Sequence, residues 1–483
     1  MHSEVMQCCS VLCLCATSST CSHVTQYVTT FLAPGTPIVT SSSDLLLRIY
    51  VSNPKAAPPV NITVDPSNLT FTLEPGDDTH GIVFDGSAAL VGSKKQTGAV
   101  VVVLTACSAF PTGVVVHGSF KTKKFSNNTV AAFTVLPVTS LGKDYVTVTH
   151  CEQNHCFFGI VATQNQTHVN VTLRLRHSND VTITPSLTYA GVTYEDGEVI
   201  HEVLEPFQAM QVLCYVCDMS GSRVTASFPV AVLSGGEFTT VGNSSTSQDT
   251  VLEFLPPTRS LGTLHVVAID TESSGTVKVV AVHAGTLISI PALSNDNYTA
   301  DDAGESWTLT LPENRVHSTV LTTTLPVLVT LLISHSYDVS DDVRMTLLTP
   351  VSQWSKETTY EAVHFFNFEP VNLVLVADFT DLSDCIKIDD ELVSDIDETT
   401  PLFNPVDGWG EMSVVRVARE TGFHHFRLWC DSDSDSCGGR TCKPFWGYMQ
   451  GMKNTHDRGW ALPLGTFSER GQQVRDSSSS FVG

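Results

Sequence analysis

The sequence predicts an all-β protein with very little helix, and three observations support this fold class. Charged residues make up only 16% of the chain and hydrophobic residues 42%. Thr, Ser and Val are abundant in place of charged residues, and this composition suits strands. Apolar and polar residues alternate in segments 45–51 and 169–176, which places one strand face on a core and the other in water. Turn-forming residues separate these runs, at 75–78, 196–197, 234–236 and 407–408, and capped helical periodicity is hard to find.

Internal repetition predicts how the strands are grouped. The sequence Leu-Pro-Val-Thr-Ser-Leu-Gly at 136–142 returns as Pro-Pro-Thr-Arg-Ser-Leu-Gly at 256–262 and in a degenerate form at 349–354. A β-rich run that begins with Pro111, Pro229 or Pro326 precedes each copy, and an earlier landmark lies at 60–66, 181–185 and 287–291. The repeat length of about 95–120 residues suits a sandwich-sized module better than a solenoid rung or propeller blade. The alternative is that these motifs are ordinary turn and strand-end residues of a β protein, which recur without marking a repeat.

We therefore expect about three tandem, diverged β-sandwich-like repeats followed by a smaller C-terminal β module. The expected divisions are a possible signal peptide at 1–22, repeats at 23–147, 148–265 and 266–360, a C-terminal module at 361–470 and a polar tail at 471–483. The leader is ambiguous, because residues 1–7 carry no Lys or Arg and the apolar run at 11–16 is short. A misassigned start or a fragment is the alternative.

Charge and cysteine content indicate an extracellular protein. The net charge of −24 does not fit a nucleic-acid-binding footprint or attraction to an anionic membrane surface. No run of 18 apolar residues occurs in the sequence, so no membrane span is predicted. The chain has fourteen cysteines, a high count that indicates disulfide bonds in a secreted protein. The candidates beyond the first 21 residues are Cys107, Cys151, Cys156, Cys214, Cys217, Cys385, Cys430, Cys437 and Cys442.

Sequons for N-linked glycosylation support secretion, although a chain rich in Ser and Thr produces some by chance. The candidate acceptors are Asn61, Asn68, Asn127, Asn165, Asn170, Asn243 and Asn297.

Two cysteine-containing segments invite a chemical interpretation. Cys214 and Cys217 form a C-x-x-C motif at the end of a predicted strand, where residues three apart face opposite ways, so we expect each to bond elsewhere in a structural disulfide. A local staple between Cys151 and Cys156 is expected at a hairpin tip. Carboxylates at Asp431, Asp433 and Asp435 are a weak Ca²⁺ candidate, but the EF-hand pattern fails beyond them. A solvated acidic loop is the preferred interpretation, and no cofactor is otherwise predicted.

The landmarks resemble the N-terminal domain of the IgGFc-binding protein family, whose members repeat "P-V-x-V-x-S-G" strands followed by "L-P-P-x-x-x-x-G". The matching stretches here are 229–235 and 255–262, together with 424–428, 445–448 and 460–465. The resemblance covers about residues 25–468. It implies a secreted, mucus-type or cell-surface protein, often with von Willebrand factor D, trypsin-inhibitor-like or EGF-like modules after this region, none of which follows here. The matching residues mark β architecture and do not define a ligand.

The expected function is non-catalytic binding of extracellular proteins or glycans, in adhesion or recognition. No nucleophile elbow, H-E-x-x-H motif or phosphate loop occurs, so an enzyme is not predicted. Candidate contact loops are 234–241 and 431–439, because loops on a rigid scaffold commonly carry function. One alternative is an architectural spacer or gel-forming component assembled through disulfides. The other is a secreted hydrolase with an unrecognised site.

Overall fold

A computed structural model confirms the all-β class: among the residues that it describes, strands predominate and the helical residues form only short 3₁₀ turns. The structure describes residues 21–32, 45–53, 58–77, 81–84, 88–96, 101–109, 114–124, 127–151, 154–177, 185–241, 249–269, 273–291, 297–311, 318–335, 343–355, 357–362, 371–378, 386–389, 391–395, 400–406, 409–419, 422–428, 444–452 and 459–463.

The strands fall into four modules. Module 1 contains β1 (His23–Leu32), β2 (Leu45–Ser52), β3 (Val60–Asp65), β4 (Leu69–Leu73), β5 (Ile82–Phe84), β6 (Ala89–Leu90), β7 (Lys94–Gln96), β8 (Val101–Ser108), β9 (Val115–Lys124) and β10 (Asn127–Thr134). Module 2 contains β11 (Gly142–Val146), β12 (His155–Ala162), β13 (Thr167–Thr172), β14 (Arg176–His177), β15 (Ser186–Tyr189), β16 (Val192–Glu195), β17 (Val199–Leu204), β18 (Ala209–Tyr215), β19 (Cys217–Asp218), β20 (Arg223–Thr239) and β21 (Asp249–Phe254). Module 3 contains β22 (Gly262–Ala268), β23 (Ser273–Ala281), β24 (Leu287–Ser289), β25 (Tyr298–Thr299), β26 (Ser306–Thr310), β27 (Ser318–His335) and β28 (Arg344–Leu347). Module 4 contains β29 (Glu357–Ala362), β30 (Val371–Asp378), β31 (Ile386–Ile388), β32 (Glu391–Leu392), β33 (Thr400–Val406), β34 (Trp409–Arg419), β35 (Gly422–Leu428), β36 (Trp446–Met452) and β37 (Gly459–Pro463).

All four modules repeat one strand order in two sheets. The outer sheets run β4-β3-β8-β1, β17-β13-β20-β11, β25-β24-β27-β22 and β32-β31-β35-β29. The inner sheets run β10-β9-β2-β5, β21-β20-β12-β18, β28-β27-β23-β26 and β37-β36-β30-β34. In modules 2 and 3 one long strand, β20 or β27, belongs to both sheets, whereas modules 1 and 4 divide it into two strands. The C-terminal module, predicted only as a smaller β module, therefore has the same strand order as the others.

The repeated Pro-Val landmark marks the place where the long strand passes from the outer to the inner sheet. Gly142 pairs with Val230 and Gly262 pairs with Val327, and in both pairs of strands the register shifts within the next two residues. The residue before each valine is a proline, which has no N–H to give to a ladder and so belongs at such irregular positions. The predicted domain boundaries stay a prediction. Strand β11, at 142–146, lies just before the predicted boundary at 147 and pairs with β20 of module 2.

Each inner sheet of modules 2 and 3 is buried on both faces. Phe157 and Leu233 pack into a core formed mainly by module 1, whereas their neighbours Phe158 and Val232 pack into the core of module 2. This follows from the two-residue period of a strand, which sends successive side chains to opposite faces. Module 3 contacts module 2 in the same way, with Leu328 and Leu332 in the module 2 core. Neighbouring modules therefore share hydrophobic cores.

The four modules close into a ring. Strand β10 contacts β21 and β37, and β28 contacts the same two strands, so the edge strand of each inner sheet lies beside those of two other modules. Asp249 accepts a hydrogen bond from the backbone N–H of Val130 at 2.9 Å, and the hydroxyl of Thr250 donates to Thr129 at 3.1 Å. Exposed edge strands are aggregation-prone, and this arrangement covers four of them.

A 3₁₀ turn preceded by proline ends each of the first three modules, within the motif that recurs at 136–142, 256–262 and 349–354. The turns span Val138–Ser140, Thr258–Ser260 and Val351–Gln353, and another 3₁₀ turn in the described ranges lies at Val393–Asp395 within module 4. Pro137, Pro257 and Pro350 precede the three terminal turns with φ of −63°, −66° and −63°. Arg259 donates to the Leu141 carbonyl oxygen at 2.9 Å, and Gln353 donates to the Ser260 carbonyl oxygen. The ends of modules 2 and 3 are therefore each hydrogen-bonded to the end of the preceding module.

The interface between modules 2 and 3 contains two tight contacts. The Lys278 ammonium lies 2.6 Å from an Asp218 carboxylate oxygen and donates to the Thr149 carbonyl oxygen at 2.6 Å. Close by in sequence, the backbone of Gly221 touches that of Gly304, and both glycines have positive φ, +89° and +81°. A side chain at either position would meet the opposite backbone.

Glu253 is a buried carboxyl group on β21 at the contact between modules 2 and 3. Its side chain is 1% exposed, and burial raises its pKa well above 4.5, although the backbone N–H groups of Leu347 and Phe254 donate to it and act in the opposite direction. Within the part of the chain that the structure describes, its Oε1 has no hydrogen-bond partner.

We expect Glu253→Gln to stabilise the protein at neutral pH. Because the folded pKa lies above the unfolded value, the folded state binds more protons, and wild-type stability declines as pH rises from the unfolded pKa toward the folded one. The amide keeps an acceptor for the backbone N–H groups and removes the buried charge, so the Tm of the variant should depend less on pH between about pH 5 and about pH 8. Melting curves across that range test this, with Glu195→Gln on the exposed β16 as the control. An equal pH slope in both variants would contradict it.

Candidate functional site

The exposed end of the β12–β18 strand pair in module 2 carries the most exposed of the aromatic side chains that the structure describes. Tyr215 ends β18 with 66% of its surface exposed. It lies opposite His155, the first residue of β12, and the two ring centroids are 5.1 Å apart. We call His155, Tyr215, Glu237 and the disulfides behind them the aromatic tip.

The carboxylate of Glu237 contacts the imidazole ring of His155. The Glu237 carboxylate is 1% exposed, and its Oε2 lies 3.1 Å from His155 Nδ1. A hydrogen bond to one ring nitrogen fixes the orientation of an imidazole. The packed His155 ring in turn restricts Tyr215, so the tip presents an aromatic side chain on a preorganised support.

Two disulfides close the tip on either side of the strand pair. Cys151 bonds to Cys156 and Cys214 bonds to Cys217, and Cys156 lies directly opposite Cys214 in the ladder. The first bond is the local staple that the sequence predicted. All four cysteines are buried, so the disulfides stiffen the backbone beneath the exposed rings.

The expectation that Cys214 and Cys217 bond elsewhere is wrong. The prediction assumed that the strand continues through both residues, which would point their side chains to opposite faces. The strand instead ends at Tyr215, and Val216 has a left-handed φ of +51°. Its N–H donates to the Asn154 carbonyl oxygen at 2.8 Å. This turn reverses the chain and brings the two sulfur atoms together.

The predicted contact loop at 234–241 is also not a surface loop. Residues 234–239 belong to β20, and Ser234, Glu237, Thr239 and Val241 are all buried. Gly235 and Gly236 were interpreted as a turn, but a Cβ at either position would lie 1.9 Å from a neighbouring carbonyl oxygen. These glycines allow close strand approach within a sheet. The second predicted loop, 431–439, lies outside the described residues.

The predicted acceptor asparagines are largely at the surface. Five of the candidates have exposed side chains, namely Asn61, Asn68, Asn165, Asn170 and Asn297. Asn127 lies on β10, where its side chain is not described, and Asn243 lies outside the described residues. An exposed sequon is accessible to a glycan, and the glycosylation itself stays a prediction.

Cys107 bonds to Cys21, a partner that the sequence left open. The other candidate cysteines, Cys385, Cys430, Cys437 and Cys442, lie outside the described residues, as do the weak Ca²⁺ candidates Asp431, Asp433 and Asp435. In the ranges that are described, no group of three or more His, Cys, Asp or Glu side chains is placed to hold a metal ion. No helix in those ranges is long and apolar enough to cross a membrane.

Sequence reasoning did not single out His155, Tyr215 or Glu237. In sequence, Tyr215 lies 60 positions after His155, and Glu237 lies 22 positions after Tyr215. Only the pairing of β12 with β18 and β20 brings the three residues together. The neighbouring C-x-x-C motif was the one local signal, and it was interpreted without the turn at Val216.

Four β modules in a ring, with the described disulfides in modules 1 and 2 and the aromatic tip on module 2, make this chain a multi-module β scaffold. A family model described as IgGFc binding protein matches residues 131–436, and the chain belongs to that family. It is similar to the IgGFc-binding protein of Homo sapiens, with 28% identity over 249 residues. The alignment covers 50% of this chain and 4% of the human protein, so the chain spans only a small part of that relative's length.

Proposed function

We propose that this chain is a secreted, non-catalytic glycoprotein that binds an extracellular protein through the aromatic tip of module 2. The observation that carries the proposal is an exposed Tyr215 supported by His155 and two disulfides in a family of binding proteins. Exposed Tyr side chains on rigid supports supply large contact areas at low entropic cost. Exposed sequons and three intramolecular disulfides favour an extracellular setting.

A protein ligand is favoured over a glycan because the human relative is described as a binder of immunoglobulin G Fc. We therefore choose the Fc fragment of immunoglobulin G as the first probe. A panel of immobilised extracellular glycans is the second probe, because an exposed tyrosine ring can also stack on a sugar.

We expect Tyr215→Ala to weaken binding of the Fc fragment by at least tenfold, since truncation of an interface hot spot costs about 2 kcal/mol or more. Surface plasmon resonance on the full chain, secreted from cultured animal cells, measures the Kd. Val83→Ala is the matched control, because Val83 is 58% exposed on strand β5 of module 1 and is not part of the aromatic tip. That variant should bind as the wild type does.

Unchanged binding by Tyr215→Ala would show that the aromatic tip is not the binding surface. Binding to glycans but not to the Fc fragment would replace the protein ligand with a carbohydrate one. If the chain is retained in the cells without N-linked glycans, or binds neither probe, the proposal of a secreted binding glycoprotein fails.

A further inference from the structure

Module 1 contains a cavity at the end of its outer sheet. Its volume is about 330 Å³, and its lining includes Pro58, Pro59, Asn61, Thr72 and the Cys21–Cys107 disulfide. This volume is at the lower end of small-molecule sites, which span about 300–1,000 Å³. The two prolines supply apolar walls, and Asn61 and Thr72 supply polar groups. A sugar ring, with C–H faces and a rim of hydroxyl groups, matches such a mixed lining.

Asn61 combines two properties in this cavity, because it both lines the cavity and begins a sequon with Thr63. The Thr72 hydroxyl donates a hydrogen bond to Asn61 Oδ1 at 2.7 Å. This bond fixes the plane of the amide through its oxygen, and it does not involve Nδ2, the atom to which an N-linked sugar is attached. A glycan on Asn61 therefore starts at the cavity wall.

We propose that the cavity seats the protein-proximal sugars of an N-linked glycan on Asn61, and that these sugars shield the Cys21–Cys107 disulfide from reductants. The inference rests on the proposed function in one respect, the secretion that exposes sequons to glycosylation. The occupant is the chain's own glycan. The glycan is attached to Nδ2 of Asn61, a residue of the cavity lining, and this covalent link gives its first sugars a high effective concentration at the cavity.

Asn170 provides a matched comparison within the same chain. It lies on β13, which occupies in module 2 the place that β3 occupies in module 1, and both side chains are exposed on an outer sheet. Its Oδ1 is also held, at 2.7 Å from His201 Nδ1. Asn61 lines the cavity and Asn170 is not part of that lining, so the two glycans differ in whether this cavity can hold them.

The first test is enzymatic deglycosylation of the native, secreted chain by peptide:N-glycosidase F, followed over time by mass spectrometry of the tryptic glycopeptides. We expect the Asn61 glycan to be released about tenfold more slowly than the Asn170 glycan, the factor that corresponds to about 1.4 kcal/mol of protection. After denaturation the two rates should become equal. Equal rates in the native chain would overturn the proposal, and so would an Asn61 that carries no glycan while Asn170 does.

The second test uses variants that remove each glycan without altering the cavity lining. Thr63→Ala removes the Asn61 sequon, and Thr172→Ala removes the Asn170 sequon. We expect Thr63→Ala to speed reduction of the Cys21–Cys107 disulfide by dithiothreitol about tenfold, measured by alkylation and mass spectrometry, and Thr172→Ala to leave the rate unchanged. Equal rates in both variants would refute the shielding. Absence of glycan at every sequon would instead contradict the secreted glycoprotein.

Discussion

Gly221→Ala should destabilise the protein by about 3 kcal/mol or more, because it combines overpacking with a left-handed backbone. A Cβ at this position would lie 1.7 Å from the carbonyl oxygen of Gly304, and Gly221 has a φ of +89°. The opposing atom is backbone and cannot rotate away. The N–H of Gly221 is also committed to the Thr147 carbonyl oxygen at 2.9 Å. Relief therefore requires modules 2 and 3 to move apart.

Gly191→Ala separates the two causes of this loss. Gly191 has a φ of +85° in the hairpin between β15 and β16, but a Cβ there would have no atom within 4 Å. We expect only the backbone cost, about 1–2 kcal/mol. Thermal and urea denaturation of both variants measure the difference. If Gly221→Ala costs no more than Gly191→Ala, the close contact between modules 2 and 3 is not present in solution.

The features that the sequence predicted correctly are those encoded by local chemistry. Alternating segments form strands because a two-residue period is a property of each segment alone. The prolines of the two recurring landmarks mark bends and 3₁₀ turns, since a proline fixes φ and removes a donor wherever it stands. The similar landmark positions therefore predicted repeated β modules, and the family resemblance pointed to the same repeats.

The features that were missed depend on contacts between distant segments. The fourth copy was not recognised because its long strand is divided into β35 and β36, with residues 429–445 between them, so the landmark spacing fails there. Closure of the ring depends on β10 meeting β37, which no local pattern announces. Gly235 and Gly236 were interpreted as a turn because glycine serves tight turns and close strand packing equally well. The composition of those segments could not distinguish the alternatives.

Lys278→Met is expected to cost about 3 kcal/mol at neutral pH, because it leaves the Asp218 carboxylate without its cation between modules 2 and 3. The Lys278 side chain is 3% exposed and Asp218 is 17% exposed, so the value is placed at the lower end of the range of about 3–5 kcal/mol for broken buried pairs. Arg223→Met is the control. Its pair with Asp144, at 2.8 Å, is 50% and 34% exposed, and such surface pairs contribute about 1 kcal/mol or less.

The pH dependence distinguishes loss of the ion pair from loss of packing. Burial acts to raise the pKa of Asp218, but the Lys278 ammonium and the hydrogen bonds from Lys278 and Ser220 outweigh it and lower the pKa to about 2. Because the folded pKa lies below the unfolded value of about 3.8, the stabilisation is present above that value and is lost as pH falls toward about 2. In Lys278→Met the ammonium no longer lowers the pKa of Asp218, whereas burial still raises it and the hydrogen bonds from Ser220 and Thr149 still lower it. Protonation of Asp218 therefore becomes less costly. The stability difference between wild type and Lys278→Met should therefore shrink from pH 7 to about pH 3. In Lys278→Met/Asp218→Asn, which carries no carboxylate at position 218, much of the loss at pH 7 should be recovered. A difference that is the same at both pH values, with no recovery in the double variant, would show that Lys278 acts through its packed side chain and not through its charge.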